Sequence, residues 1–275
     1  MSMDFLMSFN DLLLIQFYKS LSALTRWSDD ITFLGGNDDI NIVVSTITRT
    51  AFGLLNLKRP CFLELKSTRN TCFKIDAKAF VARLKSFIET DKKVNTTSND
   101  PNFGAEISHY INIEDSAPIF PTSKPLETYQ LSWIARYDLW EDTINFIPKN
   151  FDLLVMNCNP KCVVFKSILD SLETDTTLKS EIEIEAIEFV NYTFPGKNDI
   201  AINFSLKDWR AIIQISESLE EDMTCFYEEG ESVHFVLNIS NFFICHFTLA
   251  TFPIEDRENS KEESISTIVN SDTSQ

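Results

Sequence analysis

Only six glycines, nine prolines and three histidines occur in 275 residues. So few glycines exclude collagen-like and glycine-loop architectures. Neither a G-x-x-x-x-G-K-S/T phosphate loop nor a G-x-G-x-x-G turn nor an H-E-x-x-H helix is written anywhere. The histidines offer little for acid–base chemistry. His109 stands alone, and His234 and His246 lie in apolar, strand-like runs where a satisfied sheet histidine is expected. Cys158 and Cys162 have no second ligand pair nearby, and Cys245 and His246, adjacent in a strand, point to opposite faces, which argues against zinc. No catalytic residue, metal or cofactor is assigned, and the chain is read as non-catalytic.

No uninterrupted apolar run reaches the ~18 residues of a membrane span, so no membrane partner is expected. Residues 1–18 are apolar but carry Asp4 and Asp11 and no base ahead of Lys19, the wrong charge order for a secretory signal. The six cysteines, Cys61, Cys72, Cys158, Cys162, Cys225 and Cys245, are expected to be buried thiols of an intracellular protein.

Phenylalanine (23 residues) and negative charge (net -17) abound instead. The charge is unevenly placed. Residues 170–188 hold seven acids and one lysine, residues 217–231 seven acids and no base, and residues 255–275 six acids and two bases. These stretches account for the whole excess, and elsewhere 21 acids balance 21 bases. Within that balance, residues 58–93 carry ten bases against four acids. An acidic protein with such a segment keeps a place to meet a polyanion.

Period-two alternation marks half-buried strands at Ile31 and Phe33, at Ile40, Ile42 and Val44, at Ile182 and Ile184, at Ile200, Ile202 and Phe204, and at Val233, Phe235, Leu237 and Ile239. Alternation of this kind favours antiparallel sheets. Glu181, Glu183 and Glu185 then form the wet face of one strand. The Gly35–Asp39 link reads as a hairpin. Three helical stripes appear: Leu14, Phe17, Leu21 and Leu24; Phe80, Val81, Leu84, Phe87 and Ile88; and Leu206, Trp209, Ile212 and Ile213.

The last two stripes belong to a repeat. Residues 75–84 lie over residues 204–213 without a gap, each beginning with a strand residue, then an N-cap candidate (Asp76, Ser205), a lysine, an aromatic residue and an alanine in step. Asp208 completes a capping box with Ser205. The repeat predicts two similar domains. Opposite or beside the apolar stripes stand Lys78, Arg83 and Lys85, and Lys207, Arg210 and Gln214, where phosphates can be met without reading bases. The first helix adds only Lys19. Domain boundaries are set at 1–135, a linker at 136–150, a second domain at 151–254 and an acidic tail at 255–275 expected to be disordered.

Several segments resemble the Rad9 family, a subunit of the 9-1-1 DNA-damage checkpoint clamp. Residues 17–24, 29–33 and 46–53 are similar to that family's opening helix and strands, and residues 72–87 to its second strand and helix. The most specific likenesses are Ile202-Asn203-Phe204-Ser205-Leu206-Lys207-Asp208-Trp209-Arg210 and the closing His246-Phe247-Thr248-Leu249-Ala250-Thr251.

The resemblance implies an α+β DNA-clamp fold of the PCNA type, with two domains of antiparallel sheet and helices lining a ring. It implies that Lys19, Lys78, Arg83, Lys85, Lys207 and Arg210 face double-stranded DNA without sequence preference. It further implies two other clamp subunits as partners, a clamp loader, a checkpoint adaptor and kinase, a nuclear location, and tail phosphorylation, for which Ser264, Ser266, Ser271 and Ser274 are candidates. A homotrimeric replicative processivity clamp and an adaptor without DNA contact are the alternatives. The family has a further strand and helix before Phe151 whose helix is not evident in the sequence, so the second domain is expected to be reduced or to lack a segment.

Overall fold

Among the described residues, alternation along the chain resolves into sixteen strands, every paired strand antiparallel to its neighbour. The structure is a computed structural model describing residues 6–36, 38–66, 71–97, 114–115, 120–121, 124–148, 151–171 and 176–253. The first half contains β1 (Leu6–Phe9), α1 (Asp11–Leu24), β2 (Asp30–Gly35), β3 (Asp39–Ser45), β4 (Ala51–Lys58), β5 (Phe62–Lys66), β6 (Thr71–Asp76), α2 (Ala77–Thr97) and β7 (Glu114–Asp115). The second contains β8 (Leu131–Ala135), α3 (Leu139–Thr143), β9 (Leu153–Cys158), β10 (Cys162–Ser171), β11 (Thr176–Glu185), β12 (Asn191–Thr193) and β13 (Ile200–Ser205). It closes with α4 (Leu206–Leu219), β14 (Met223–Tyr227), β15 (Val233–Ser240) and β16 (Phe243–Leu249).

One ten-stranded sheet, in the order β12-β8-β14-β15-β16-β4-β3-β2-β6-β7, runs through both halves. Its seam is β16 against β4, in register from Phe243 opposite Leu57 to Leu249 opposite Ala51. A four-stranded sheet, β11-β10-β9-β13, and the β1-β5 pair complete the framework. The hairpin expected around Gly35 joins β2 to β3, with Gly35 opposite Ile40.

The helices form one layer. α1 packs against both α2 and α4, and α3 against α4, so the layer reads α2-α1-α4-α3. Ile31, Phe33 and Ile75 are buried on its side of the sheet, and their strand neighbours Thr32 and Lys74 look the other way. The phenylalanine excess fills this space. Phe33 stacks on Phe73 at 5.1 Å and meets Phe80 edge-on, while Trp140, Phe165 and Trp209 interlock at 4.9 to 5.9 Å in the second half. Offset and edge-on packing of this kind adds to the stabilisation from area burial alone.

Three sequence expectations change here. The boundary at Ala135 falls inside the second unit, because Leu131–Ala135 pairs with β14 and β12. Nor is 136–150 a linker: Trp140 is fully buried against Trp133, Phe165 and Trp209, and Ile144 and Ile147 are buried below it. The second unit is not missing its strand and helix. They are β8 and the short α3, continued by a 3-10 turn at Ile144–Phe146. Residues 254–275, including Ser264, Ser266, Ser271 and Ser274, lie outside the described residues.

Candidate nucleic-acid interface

The repeated strand-to-helix junction is built as its sequence directs. Asp76 Oδ1 accepts from Ala79 N at 2.6 Å at the start of α2, and Ser205 Oγ accepts from Asp208 N at 3.3 Å at the start of α4. Each cap satisfies one of the donors that a helix N-terminus leaves open. Both helices thereby leave the ends of equivalent strands, β6 and β13, and enter the same layer.

The six cations singled out from sequence have different surroundings. Arg83 and Lys207 are exposed and make no ion pair among the described residues. Lys78 faces Asp29 at 2.5 Å and Lys85 faces Glu89 at 3.9 Å, all four side chains at least 60% exposed. The Asp29 carboxylate beside Lys78 raises the ammonium's pKa. Such exposed pairs are weak and leave the cation open to a phosphate. Lys19 is exposed and donates to the Ser218 carbonyl at the end of α4, bridging α1 and α4.

Arg210 departs from the expected solvent-facing position. It is half-buried, Nη2 donates to the Ile147 carbonyl, and burial lowers its pKa. Arg210 ties α4 to the corner after α3, while Lys207 and Gln214 on the same side of α4 are exposed.

The ten bases of residues 58–93 are likewise divided. Arg59 donates to the Phe62 carbonyl, and Lys66 pairs with Glu64. Lys74 pairs with Asp30 and Glu114 on the sheet face away from the helices. Only Lys78, Arg83, Lys85, Lys92 and Lys93 lie on α2, which makes α2 the most basic helix of the layer. The acids of β11 and those that follow α4 stand elsewhere. Glu181, Glu183 and Glu185 are exposed on β11 with Ile182 and Ile184 turned inward, and Glu220, Asp222 and Glu229 are exposed around β14.

Away from the helices, a cleft of about 410 Å³ is lined by Asp30, Val43, Arg49, Phe52, Lys74 and Phe120, among others. His234 is buried between Tyr129 Oη at 3.0 Å and Thr248 Oγ1 at 3.1 Å, and burial holds its pKa down to about 4. With both ring nitrogens engaged and the side chain buried, it fastens β15 to β16 and to the segment before β8. Lys124 reinforces the same place by pairing with Glu228 and lying 4.3 Å from the centre of the Tyr129 ring.

A helix layer spread over one face of a sheet that spans two similar units defines the PCNA-like clamp fold. The chain is similar to the PCNA2–PCNA3 complex of Sulfolobus tokodaii, with 13% identity and a TM-score of 0.67 over 86% of this chain and 96% of that one. It is also similar to PCNA from Thermococcus kodakaraensis, with 11% identity and a TM-score of 0.64 over 90% of this chain and 100% of that one. No curated protein matches the sequence. The Rad9 family model matches residues 104–252, more than half of the chain, and the protein belongs to the Rad9 family. Clamp families of this kind are non-catalytic scaffolds.

Proposed function

We propose that the chain is one subunit of a heterotrimeric checkpoint clamp that encircles double-stranded DNA at damage sites. The observation that carries this reading is the unbroken layer α2-α1-α4-α3, which presents Lys78, Arg83, Lys85, Lys19 and Lys207 from one face of a sheet spanning both units. Contacts to phosphate from a few cations on rigid helices hold a duplex without reading its sequence and so permit sliding. The acids of β11 and of the region around β14 belong on the ring's other surfaces, where they repel stray nucleic acid.

Ring closure needs free strand edges. β7 ends the large sheet and β11 ends the small one, each with one side unpaired among the described residues. In this reading the partners are two different clamp subunits, an ATP-driven loader, and a checkpoint adaptor and kinase in the nucleus, signalled through the phosphorylated tail. Sizing of the purified chain alone is expected to show a monomer that forms a 1:1:1 ring when the two other subunits are added. A stable trimer of this chain alone would overturn the reading in favour of a homotrimeric processivity clamp.

A further inference from the structure

We propose that Arg210 is a positioning residue for the open β11 edge and not a DNA contact. The inference rests on the clamp reading only in giving that edge a partner subunit to meet. A guanidinium carries five N–H donors. In Arg210, Nη2 reaches the Ile147 carbonyl, Nε is buried without an acceptor, and no carboxylate pairs with it among the described residues. A cation placed for phosphate would stand out of α4 as Lys207 does, three residues earlier on the same side of the helix. Arg210 instead lies down against the corner that follows α3.

That corner is held from two sides through consecutive carbonyls. The Phe146 carbonyl accepts from Ser180 Oγ on β11 at 3.2 Å, and the Ile147 carbonyl accepts from Arg210 on α4. Ile144 and Ile147 are buried, whereas the Phe146 side chain is 72% exposed. Hydrogen bonds therefore fix a turn whose middle residue has no packing of its own. Farther along, the Asp152 carbonyl accepts from Leu206 N at 2.9 Å, so the first two turns of α4 grip both ends of the path from Ile147 into β9. Through this corner α4 is tied to the outermost strand of the small sheet, which on its other side is paired along its length with β10. Charge-assisted hydrogen bonds are the strong ones, and one made to a buried corner is costly to leave unmade.

The test compares Arg210→Met with Lys207→Glu. In the isolated chain, followed by amide hydrogen exchange, Arg210→Met is expected to speed exchange roughly tenfold across residues 144–148 and 176–185 and to leave β15 and β16 unchanged. In the assembled ring it is expected to weaken subunit association about tenfold while leaving the salt dependence of DNA binding at the wild-type slope. Lys207→Glu is expected to do the reverse, flattening the slope by up to about 0.9 with exchange unaltered. The proposal is overturned if Arg210→Met flattens the slope with exchange at both segments unchanged. Should Arg210→Met fail to fold, Ser180→Ala cuts the other tie to the corner, and unchanged exchange across 176–185 in that variant overturns the proposal equally. If the wild-type chain forms no ring with other subunits, the clamp reading fails and the exchange measurement alone decides the role of Arg210.

Discussion

The two strand-to-helix junctions, β6 into α2 and β13 into α4, share a sequence pattern and a capping scheme and differ in what they bury. α4 buries nine residues, including a fully enclosed Trp209 and the Asp208 carboxylate. In α2 only Ala77 is buried among the described side chains, and Phe80, Val81 and Leu84 are half-covered. One local code thus serves two tasks. α4 packs against strands of both sheets, and its arginine holds a neighbouring corner. α2 lies at the margin of the layer, with Lys78, Arg83 and Lys85 outward and Ala79, Ala82 and Ser86 exposed between them.

Truncating the paired aromatics tests this contrast most strongly. Trp209→Ala is expected to cost about 3–5 kcal/mol, since it empties the centre of an aromatic group. Its counterpart Phe80→Ala is expected to cost only about 1–2 kcal/mol, because that ring is half-exposed before truncation. Urea denaturation of both variants gives the comparison, and equal losses would erase it.

A second difference appears on titration. Burial raises the pKa of Asp208, whereas the aligned position in the other junction is Ala79. The folded state therefore binds this proton more readily than the unfolded chain does. The resulting stability is fully present below the unfolded carboxylate pKa and is lost as pH rises through the raised folded value. Asp208→Asn is expected to be relatively more stable than wild type at neutral pH, with the gap closing on acidification through that window. Urea midpoints at several pH values check this, and a pH-independent gap would contradict it. The smallest expected effects are at the caps, where Asp76→Ala and Ser205→Ala should each cost about 1 kcal/mol by thermal or urea unfolding, in keeping with their shared geometry.

Much of this was legible along the chain. The antiparallel sheets followed from alternation in β2, β3, β13 and β15, and the junctions followed from the N-cap candidates Asp76 and Ser205 standing at aligned positions ahead of their stripes. α3 was missed although Trp140, Ile144 and Ile147 recur at helical spacing, because the helix is only five residues long and lies among acids next to Pro148. The alternation of β8 was hidden in the same way by its shortness. The place of Arg210 was not legible at all. A helical wheel puts it beside Lys207 and Gln214, and what turns it inward is a carbonyl 63 residues away in sequence. The basic run of residues 58–93 misled for a related reason: charge counts ignore that β6 and α2 send their cations to opposite sides of one sheet.

The central claim is that the basic face of the helix layer, concentrated on α2, holds DNA inside a ring. The most direct test is the salt dependence of DNA retention by the assembled complex carrying Lys78→Glu, Arg83→Glu and Lys85→Glu together, set against Lys207→Glu alone. The triple variant is expected to flatten the slope by up to about 2.7, three times the ~0.9 expected for one phosphate contact. Retention by the triple variant at the wild-type level and with the wild-type slope would contradict the account.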